Sequence, residues 1–192
     1  MLTFRRPGPE TIREFLAQQR ELPLAYSPEG MTRGPAPGSY NLHQMRHRLG
    51  AGVDVFERAR TALRSWIPFQ QSWVRLDPVD AELKVGTVVA ITGRVGPCWW
   101  LNACRVVYQI DEDGPPRRFG FANGTLPGHA LRGEERLCVE LAEDGEVFYH
   151  LLAYSRPRHW LAWLGYPLLR VVQRRFAEGS AASLQKAAGV LA

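Results

Sequence analysis

The sequence contains almost no lysine: Lys84 and Lys186 are the only two among 24 basic residues, and the rest are arginines. The formal net charge is +5, which by itself is compatible with an anionic ligand, a membrane surface or nucleic acid. The arginines are scattered, however, and no long run of like charges occurs. We therefore expect the charge to lie on a solvated surface and predict no nucleic-acid partner.

Cysteine is also scarce, since Cys98, Cys104 and Cys138 are the only three. Their odd number, and the lack of a C-x-x-C or Cys/His pair at ligand spacing, argue against a disulfide framework and a zinc site. A free cysteine in or beside a strand usually behaves as a small buried apolar residue. We expect no bound metal and a reducing, cytoplasmic location.

Long apolar runs and standard enzyme motifs are missing. No stretch reaches the roughly 18 apolar residues that span a bilayer, and the most apolar one, residues 160–172, is interrupted by Gly165, Pro167 and Arg170. The N-terminus lacks the apolar core of a signal peptide. Walker A, dinucleotide-binding, H-E-x-x-H and G-x-S-x-G sequences do not occur. We predict no transmembrane segment and no cofactor.

Three segments have the apolar period of a helix: residues 9–20, residues 54–66 and the stretch from Trp160 to Leu184. Asp54 is a candidate N-cap for the second helix. Gly179 lies inside the third helix, where glycine lowers helix stability. We therefore expect that helix to be kinked or weakened at Gly179.

Elsewhere the apolar period is close to 2, which is typical of strands. The predicted strands cover residues 40–48, 73–76, 86–95, 99–110, 118–124, 134–141 and 147–154, and residues 49–52 break the first of them. Short turns such as Gly96-Pro97 and Asp144-Gly145 connect successive strands, so neighbours should be antiparallel. One face of the strand over 99–110 carries Trp100, Asn102, Cys104, Val106, Tyr108 and Ile110.

This order of elements predicts one α+β domain, with a curved antiparallel sheet of about six to seven strands wrapped around a long C-terminal helix. It is the order of the helix-grip fold. Residues 1–39 would form an N-terminal helix and a loop (22–39) draped over the body, and residues 40–192 would form the helix-grip body. A cavity remains between sheet and helix wherever inner side chains do not fill the space.

The most informative stretch is residues 118–157, in which two strands flank a tip containing Gly128 and His129. Glu134 and Glu135 open the second of these strands, and consecutive strand residues point to opposite faces. Glu135 shares its parity with the aliphatic positions of that strand. We therefore predict that Glu135 points inward and that Glu134 is solvated.

Several motifs carry a family resemblance. They are Tyr40-Asn41, Leu49-Gly50-x-Gly52, Asn102-Ala103-Cys104-Arg105-Val106-Val107-Tyr108, Gly120-Phe121-Ala122-x-Gly124-Thr125-Leu126-Pro127-Gly128-His129, Gly133-Glu134-Glu135, Ser155-Arg156-Pro157 and Gln173. On these motifs the sequence resembles an uncharacterised bacterial and plant family, the domain of unknown function nineteen-ninety. The resemblance implies a fold similar to START, polyketide-cyclase and pollen-allergen proteins, and it implies no catalytic roles. Asn123, where an aromatic is more typical, and the less regular helix at 177–180 depart from the family's pattern.

Six side chains are candidates for contacting a ligand in the cavity: Trp100, Asn102, Tyr108, Phe121, Glu135 and Arg156. Asn102 could orient a carbonyl group and Tyr108 could offer its hydroxyl, although each is also a common structural residue on a strand. Arg156 could clamp a carboxylate or phosphate, or it could pair with a nearby glutamate.

Glu135 and His129 are the candidates for acid–base chemistry. Desolvation would raise the pKa of an inward glutamate, and histidine titrates near neutral pH. The structural alternatives are that His129 is a locally hydrogen-bonded loop residue and that Glu135 is paired with an arginine such as Arg105 or Arg46.

Three functions are compatible with these observations. The first is binding of a small apolar or amphipathic molecule in the cavity. The second is a cyclase, isomerase or hydrolase that uses Glu135 and His129. The third is membrane-surface association through the helix that carries Trp160 and Trp163, beside the arginines Arg156, Arg158, Arg170, Arg174 and Arg175.

Overall fold

The computed structural model describes residues 1–35, 38–158 and 166–189. The helices in these ranges are α1 (Pro9–Gln19), α2 (Val53–Arg64) and α3 (Tyr166–Ala187), with 3₁₀ turns at Met31–Arg33 and Ile67–Phe69. The strands are β1 (Leu2–Thr3), β2 (Asn41–Ala51), β3 (Val74–Asp77), β4 (Val88–Val95), β5 (Cys98–Glu112), β6 (Arg117–Thr125), β7 (Leu131–Leu141) and β8 (Glu146–Pro157).

The eight strands form one sheet in the order β2-β8-β7-β6-β5-β4-β3, and every neighbouring pair is antiparallel. The short β1 pairs with the start of β5, where Leu2 lies opposite Trp100. This part of β5 is available because β6 pairs with β5 only from Cys104 onward. The predicted α+β architecture is confirmed, and β1 was missed because two residues carry no alternation.

The main core lies on one face of the sheet, called here the inner face, against α2 and α3. Phe56 of α2, Phe121 of β6, Tyr149 of β8 and Leu184 of α3 are all buried in it. The sequence pattern predicted that the final helix alone covers the sheet, whereas α2 and α3 cover it together. On β8, Tyr149 points inward and its hydroxyl lies 3.2 Å from Ser180 Oγ.

The N-terminal end of α2 differs from its prediction. The helix begins at Val53 after Gly52, which adopts a φ of +92° and provides no side-chain cap, so Asp54 lies in the first turn instead of capping it. An acidic side chain in the first turn still interacts favourably with the helix dipole.

The C-terminal end of α2 also differs, because the helix ends at Arg64 and Trp66 lies beyond it with a φ of +58°. The Trp66 ring packs edge-on against Phe121 at 4.9 Å, and its Nε1–H donates to the Ala81 carbonyl at 2.8 Å. These tertiary contacts hold Trp66 in a backbone conformation that non-glycine residues rarely adopt.

β2 continues to Ala51, although residues 49–52 were predicted to break it. The pairing with β8 shifts between Arg48 and Gly50, which is a β-bulge. A bulge inserts one unpaired residue and lets the strand continue past it, so the glycine marks an irregularity and not an end.

α3 continues as one helix from Tyr166 to Ala187, so Gly179 does not end it. A Cβ at Gly179 would lie 2.2 Å from Oε1 of Gln71. Gln71 in turn donates from Nε2 to the Phe176 carbonyl of α3 at 3.2 Å. Glycine therefore allows a close approach to Gln71 at this position, and helix packing outweighs its low propensity.

The opposite, outer face of the sheet is covered in part by residues 22–35, called here the strap. Glu134 of β7 is only 2% exposed beneath it. Its carboxylate accepts hydrogen bonds from the Tyr26 hydroxyl (2.5 Å), the Gly30 amide (2.8 Å), the Thr32 amide (2.9 Å) and the Thr32 hydroxyl. The prediction that Glu134 is solvated is therefore wrong, because the face it points to is covered.

We expect Glu134→Ala to lower the free energy of unfolding by about 3 kcal/mol, because buried donors of the strap lose their acceptor. Urea denaturation measures this change, and limited trypsin digestion should show faster cleavage after Arg33. Glu146→Ala is the control, since Glu146 pairs with Arg48 at the surface and should contribute less than about 1 kcal/mol. Equal effects of the two substitutions would contradict the role given to Glu134.

Candidate functional site

A cavity of about 270 Å³ lies on the inner face, between the sheet and the first half of α3. Most of its lining is apolar, and includes Leu2, Phe69, Trp73, Val74, Ile91, Trp100, Leu131, Ala153, Leu169, Val172 and Phe176. The polar side chains that line it are Asn102, Asn123, Thr125, His129, Glu135, Ser155 and Gln173, together with the thiol of Cys104.

Glu135 reaches the cavity from β7, where it lies opposite Asn123 on β6 and Ala153 on β8. Protein surrounds the side chain, and the part of its surface that stays accessible faces the cavity. The resulting desolvation raises the pKa of the Glu135 carboxyl to about 7. Within the described residues this carboxyl has neither an ion-pair nor a hydrogen-bond partner. Arg105 and Arg46, which the sequence suggested as partners of Glu135, contact other groups instead.

His129 lies at the β6–β7 tip and also lines the cavity. Its Nδ1 accepts a hydrogen bond from the Leu131 amide at 2.9 Å, so the neutral ring carries its proton on Nε2. Burial lowers the pKa of His129 to about 4. At neutral pH the site therefore contains an uncharged imidazole N–H donor, whereas Glu135 titrates.

Asn102 and Trp100 line the cavity from β5. Oδ1 of Asn102 accepts from the Ala130 amide at 3.3 Å and so ties the tip to β5. The ring of Trp100 packs edge-on against Trp73 with centroids 6.0 Å apart. Both candidates therefore contribute to the wall, and Asn102 also holds part of the tip in place.

Tyr108 does not reach the cavity. The pairing of β5 with β6 shifts between Val106 and Tyr108, so that Val106 belongs to the inner core while Tyr108 lies on the outer face. Its hydroxyl is 2.6 Å from Thr32 Oγ1 in the strap. A bulge reverses the parity of every later residue in a strand, which the sequence pattern did not reveal.

Phe121 and Arg156 also lie away from the cavity. Phe121 is inward but fully buried in the packed part of the core against Trp66. Arg156 belongs to β8, and its guanidinium lies 4.8 Å from the Tyr40 ring centroid. Its neighbour Ser155 has inward parity and lines the cavity instead.

Sequence reasoning did not assign Asn123, Thr125, Ser155 or Gln173 to the site. Asn123 is 3% exposed, and neither its amide nitrogen nor its oxygen has a partner in the described part of the chain. Gln173 of α3 donates from Nε2 to Ser155 Oγ at 3.0 Å, while its Oε1 has no partner there. Asn123 could have been found, because it shares strand parity with the inward residues Phe119 and Phe121.

Trp160 and Trp163, on which the predicted membrane association depends, lie outside the described residues. Of the helices that are described, none combines the length and apolar character needed to cross a bilayer. Membrane-surface association through these tryptophans stays a prediction.

Several solved structures resemble this one. The aromatase/cyclase Zhui from Streptomyces sp. R1128 aligns with a TM-score of 0.56 at 9% identity, covering 78% of this chain and 94% of that one. Ara h 8.0201 aligns with a TM-score of 0.52 at 12% identity, covering 78% and 98%. TTHA0849 from Thermus thermophilus aligns with a TM-score of 0.52 at 14% identity, covering 77% and 97%. At these identities the likeness concerns the fold alone, which is the helix-grip fold.

Sequence relatives extend over nearly the whole chain. A UPF0548 protein of Dictyostelium discoideum is 32% identical over 98% of this chain and 96% of its own length. A UPF0548 protein of Deinococcus radiodurans is 35% identical over 98% of this chain and 100% of its own length. The family described as Domain of unknown function (DUF1990) matches residues 25–183. The chain therefore belongs to the DUF1990 family.

Proposed function

We propose that the protein binds a small, mostly apolar molecule in the cavity between the sheet and α3. The observation that carries this proposal is the combination of an apolar wall with inward polar groups that lack protein partners, namely those of Asn123, Gln173 and Glu135. A buried polar group without a partner is costly, and ligand pockets combine apolar walls with a few such groups. Three free cysteines support a reducing compartment such as the cytoplasm.

The polar groups indicate what the ligand should carry. Asn123 can both donate and accept a hydrogen bond. Oε1 of Gln173 can only accept one, so the ligand must supply the donor. A hydroxyl or carbonyl group near these side chains, attached to a hydrocarbon or aromatic body, would match the lining. The volume of about 270 Å³ is at the lower end for ligand sites, so the bound body should be small.

A second candidate function is proton transfer to or from the bound molecule. The observation that favours it is that Glu135 and His129 line the same cavity with pKa values shifted in opposite directions. A carboxyl with a pKa of about 7 is well matched to a general base at neutral pH, and a neutral imidazole N–H can donate to a developing negative charge. Zhui, which shares the fold, is an aromatase/cyclase, but the candidate rests on the two side chains.

The two shifts have opposite consequences for stability. The pKa of Glu135 is raised from 4.5 to about 7, so the native state becomes less stable as the pH rises through this interval. The pKa of His129 is lowered from 6.5 to about 4, so the native state becomes less stable as the pH falls through that interval. Each amounts to roughly 3 kcal/mol, and between pH 4.5 and 6.5 the two effects largely cancel.

For the binding proposal we expect N-phenyl-1-naphthylamine, an uncharged aromatic probe, to bind with enhanced fluorescence. Ala153→Leu should weaken binding at least about tenfold, because the added atoms enter the cavity beside Glu135. Ala182→Leu makes the same change at an exposed position of α3 and should leave binding unchanged. Absence of probe binding, or equal binding by all three proteins, would refute the proposal.

For the ionisation states we expect the two single variants to change the pH dependence of stability in opposite directions. Relative to the wild type, Glu135→Gln should gain roughly 3 kcal/mol between pH 4.5 and 7. His129→Asn, which keeps an acceptor for the Leu131 amide, should gain a similar amount between pH 6.5 and 4. Urea denaturation across this range measures both, and variants that keep the wild-type profile would show that the pKa values are not shifted.

For proton transfer we expect the cavity to catalyse the ring opening of 5-nitrobenzisoxazole, in which a base removes the ring C–H proton while the N–O bond breaks. The rate should rise with pH with an apparent pKa near 7, and Glu135→Gln should lower it at least about 100-fold. Glu140→Gln is the control, since Glu140 lies on the outer face with Arg118 at 2.6 Å. A rate that is the same in Glu135→Gln would exclude this base.

A further inference from the structure

A second concave region lies on the outer face of the sheet and differs from the inner cavity in its chemistry. It is a groove of about 750 Å³ between α1 and the strands β3 and β4. α1 packs on the sheet beside it through Leu16, which contacts Ala90 and Leu101. The groove shares no lining residue with the inner cavity.

The lining of this groove is strongly basic. It contains Arg6, Arg13, Arg20 and Arg75 and one carboxylate, Asp77, which gives the lining residues a formal charge of +3. Two of these arginines have ion-pair partners, since Arg75 lies 3.7 Å from Asp77 and Arg13 lies 2.6 Å from Glu10. Arg6 and Arg20 have no such partner within the described residues. Positive side chains collected in a concave site attract an anion more strongly than the same charges on a flat surface.

The N-terminus of α1 opens into the same groove, since Gly8 and Pro9 line it. Gly8 is the N-cap and offers no side chain to accept hydrogen bonds from the first turn. The start of a helix carries partial positive charge and unpaired N–H groups, and it is a common contact for phosphate groups.

Thr92 of β4 provides an independent observation. Its side chain is 4% exposed, it lines the groove, and its hydroxyl has no hydrogen-bond partner in the described part of the chain. In the sheet Thr92 lies directly opposite Arg75, so an acceptor bound by this guanidinium would be within reach of the hydroxyl. A buried hydroxyl without an acceptor is costly, and an anion oxygen would satisfy it.

We propose that this groove binds a phosphate-bearing molecule. A phosphate group presents several acceptor oxygens in different directions, which suits donors that converge from a strand, a guanidinium and a helix terminus. The apolar side chains of Ile12 and Leu16 also line the groove and would contact an organic body attached to the phosphate. The phosphate can belong to a soluble metabolite or to a lipid headgroup.

The test uses the full-length protein and isothermal titration calorimetry at low salt with inorganic pyrophosphate and with decyl phosphate. Arg75→Gln should weaken binding at least about fivefold. Arg64→Gln is the matched control, because the Arg64 side chain on α2 is 58% exposed and that of Arg75 is 55% exposed, and it should bind like the wild type. Equal losses in both variants would mean attraction to net charge and would overturn the site.

The variant Thr92→Val tests whether the Thr92 hydroxyl contacts the ligand or is only unpaired. The substitution keeps the shape of the side chain and removes an unpartnered hydroxyl, so the variant should be at least as stable as the wild type in thermal unfolding. We expect it to bind pyrophosphate about threefold more weakly. Unchanged binding by a stable Thr92→Val would overturn the proposal.

Two further arms identify the source of the phosphate. Binding of pyrophosphate or decyl phosphate in solution supports a soluble metabolite, whereas binding only to vesicles containing phosphatidic acid, lost in Arg75→Gln, supports a lipid headgroup. A glutamate octapeptide that binds as tightly as pyrophosphate would overturn the assignment to phosphate. None of these measurements depends on the inner cavity, so they stand or fall independently of the proposed function.

Discussion

The start of β7 is the constraint on which both faces of the sheet depend. Gly133 adopts a φ of +150°, and a Cβ there would lie 1.9 Å from the carbonyl oxygen of Tyr154. The missing side chain therefore lets β7 lie close to β8. The Gly133 amide also donates to Thr125 Oγ1 at 2.9 Å, which connects the start of β7 to the end of β6. The next two residues, Glu134 and Glu135, then point to opposite faces from a backbone that cannot shift.

The two carboxylates have very different surroundings. Glu134 is buried with four donors, all of them from the strap, and such hydrogen bonds make a buried carboxylate tolerable. Glu135 faces an apolar cavity without a partner, and desolvation raises its pKa. Because Glu134 anchors the backbone from outside, the position of Glu135 is set without contacts on the inner side. Under the binding proposal, this arrangement would leave the oxygens of Glu135 available to a ligand.

The positions of the long strands, the antiparallel pairing of successive strands and the inward direction of Glu135 could be predicted, because alternation and short turns are local properties of the chain. Three features could not. The bulge that turns Tyr108 outward depends on how β5 pairs with β6, and the positive φ of Trp66 depends on tertiary contacts. The burial of Glu134 depends on a loop more than 100 residues away in the sequence. Parity states which face a side chain points to, and only the tertiary fold decides what covers that face.

The inner cavity itself follows from the size of side chains along α3. In the second half of the helix Ala177, Ala181 and Leu184 are fully buried in the core, and the two alanines let the helix pack closely there. In the first half the inward residues are larger, including Leu169 and Phe176, and they line the cavity instead of filling it. The cavity therefore lies beside the first half of α3, and Glu135 lines it from the sheet. Ala177 and Ser180, which belong to the stretch 177–180 that departs from the family's pattern, are thus buried where α3 packs on the core.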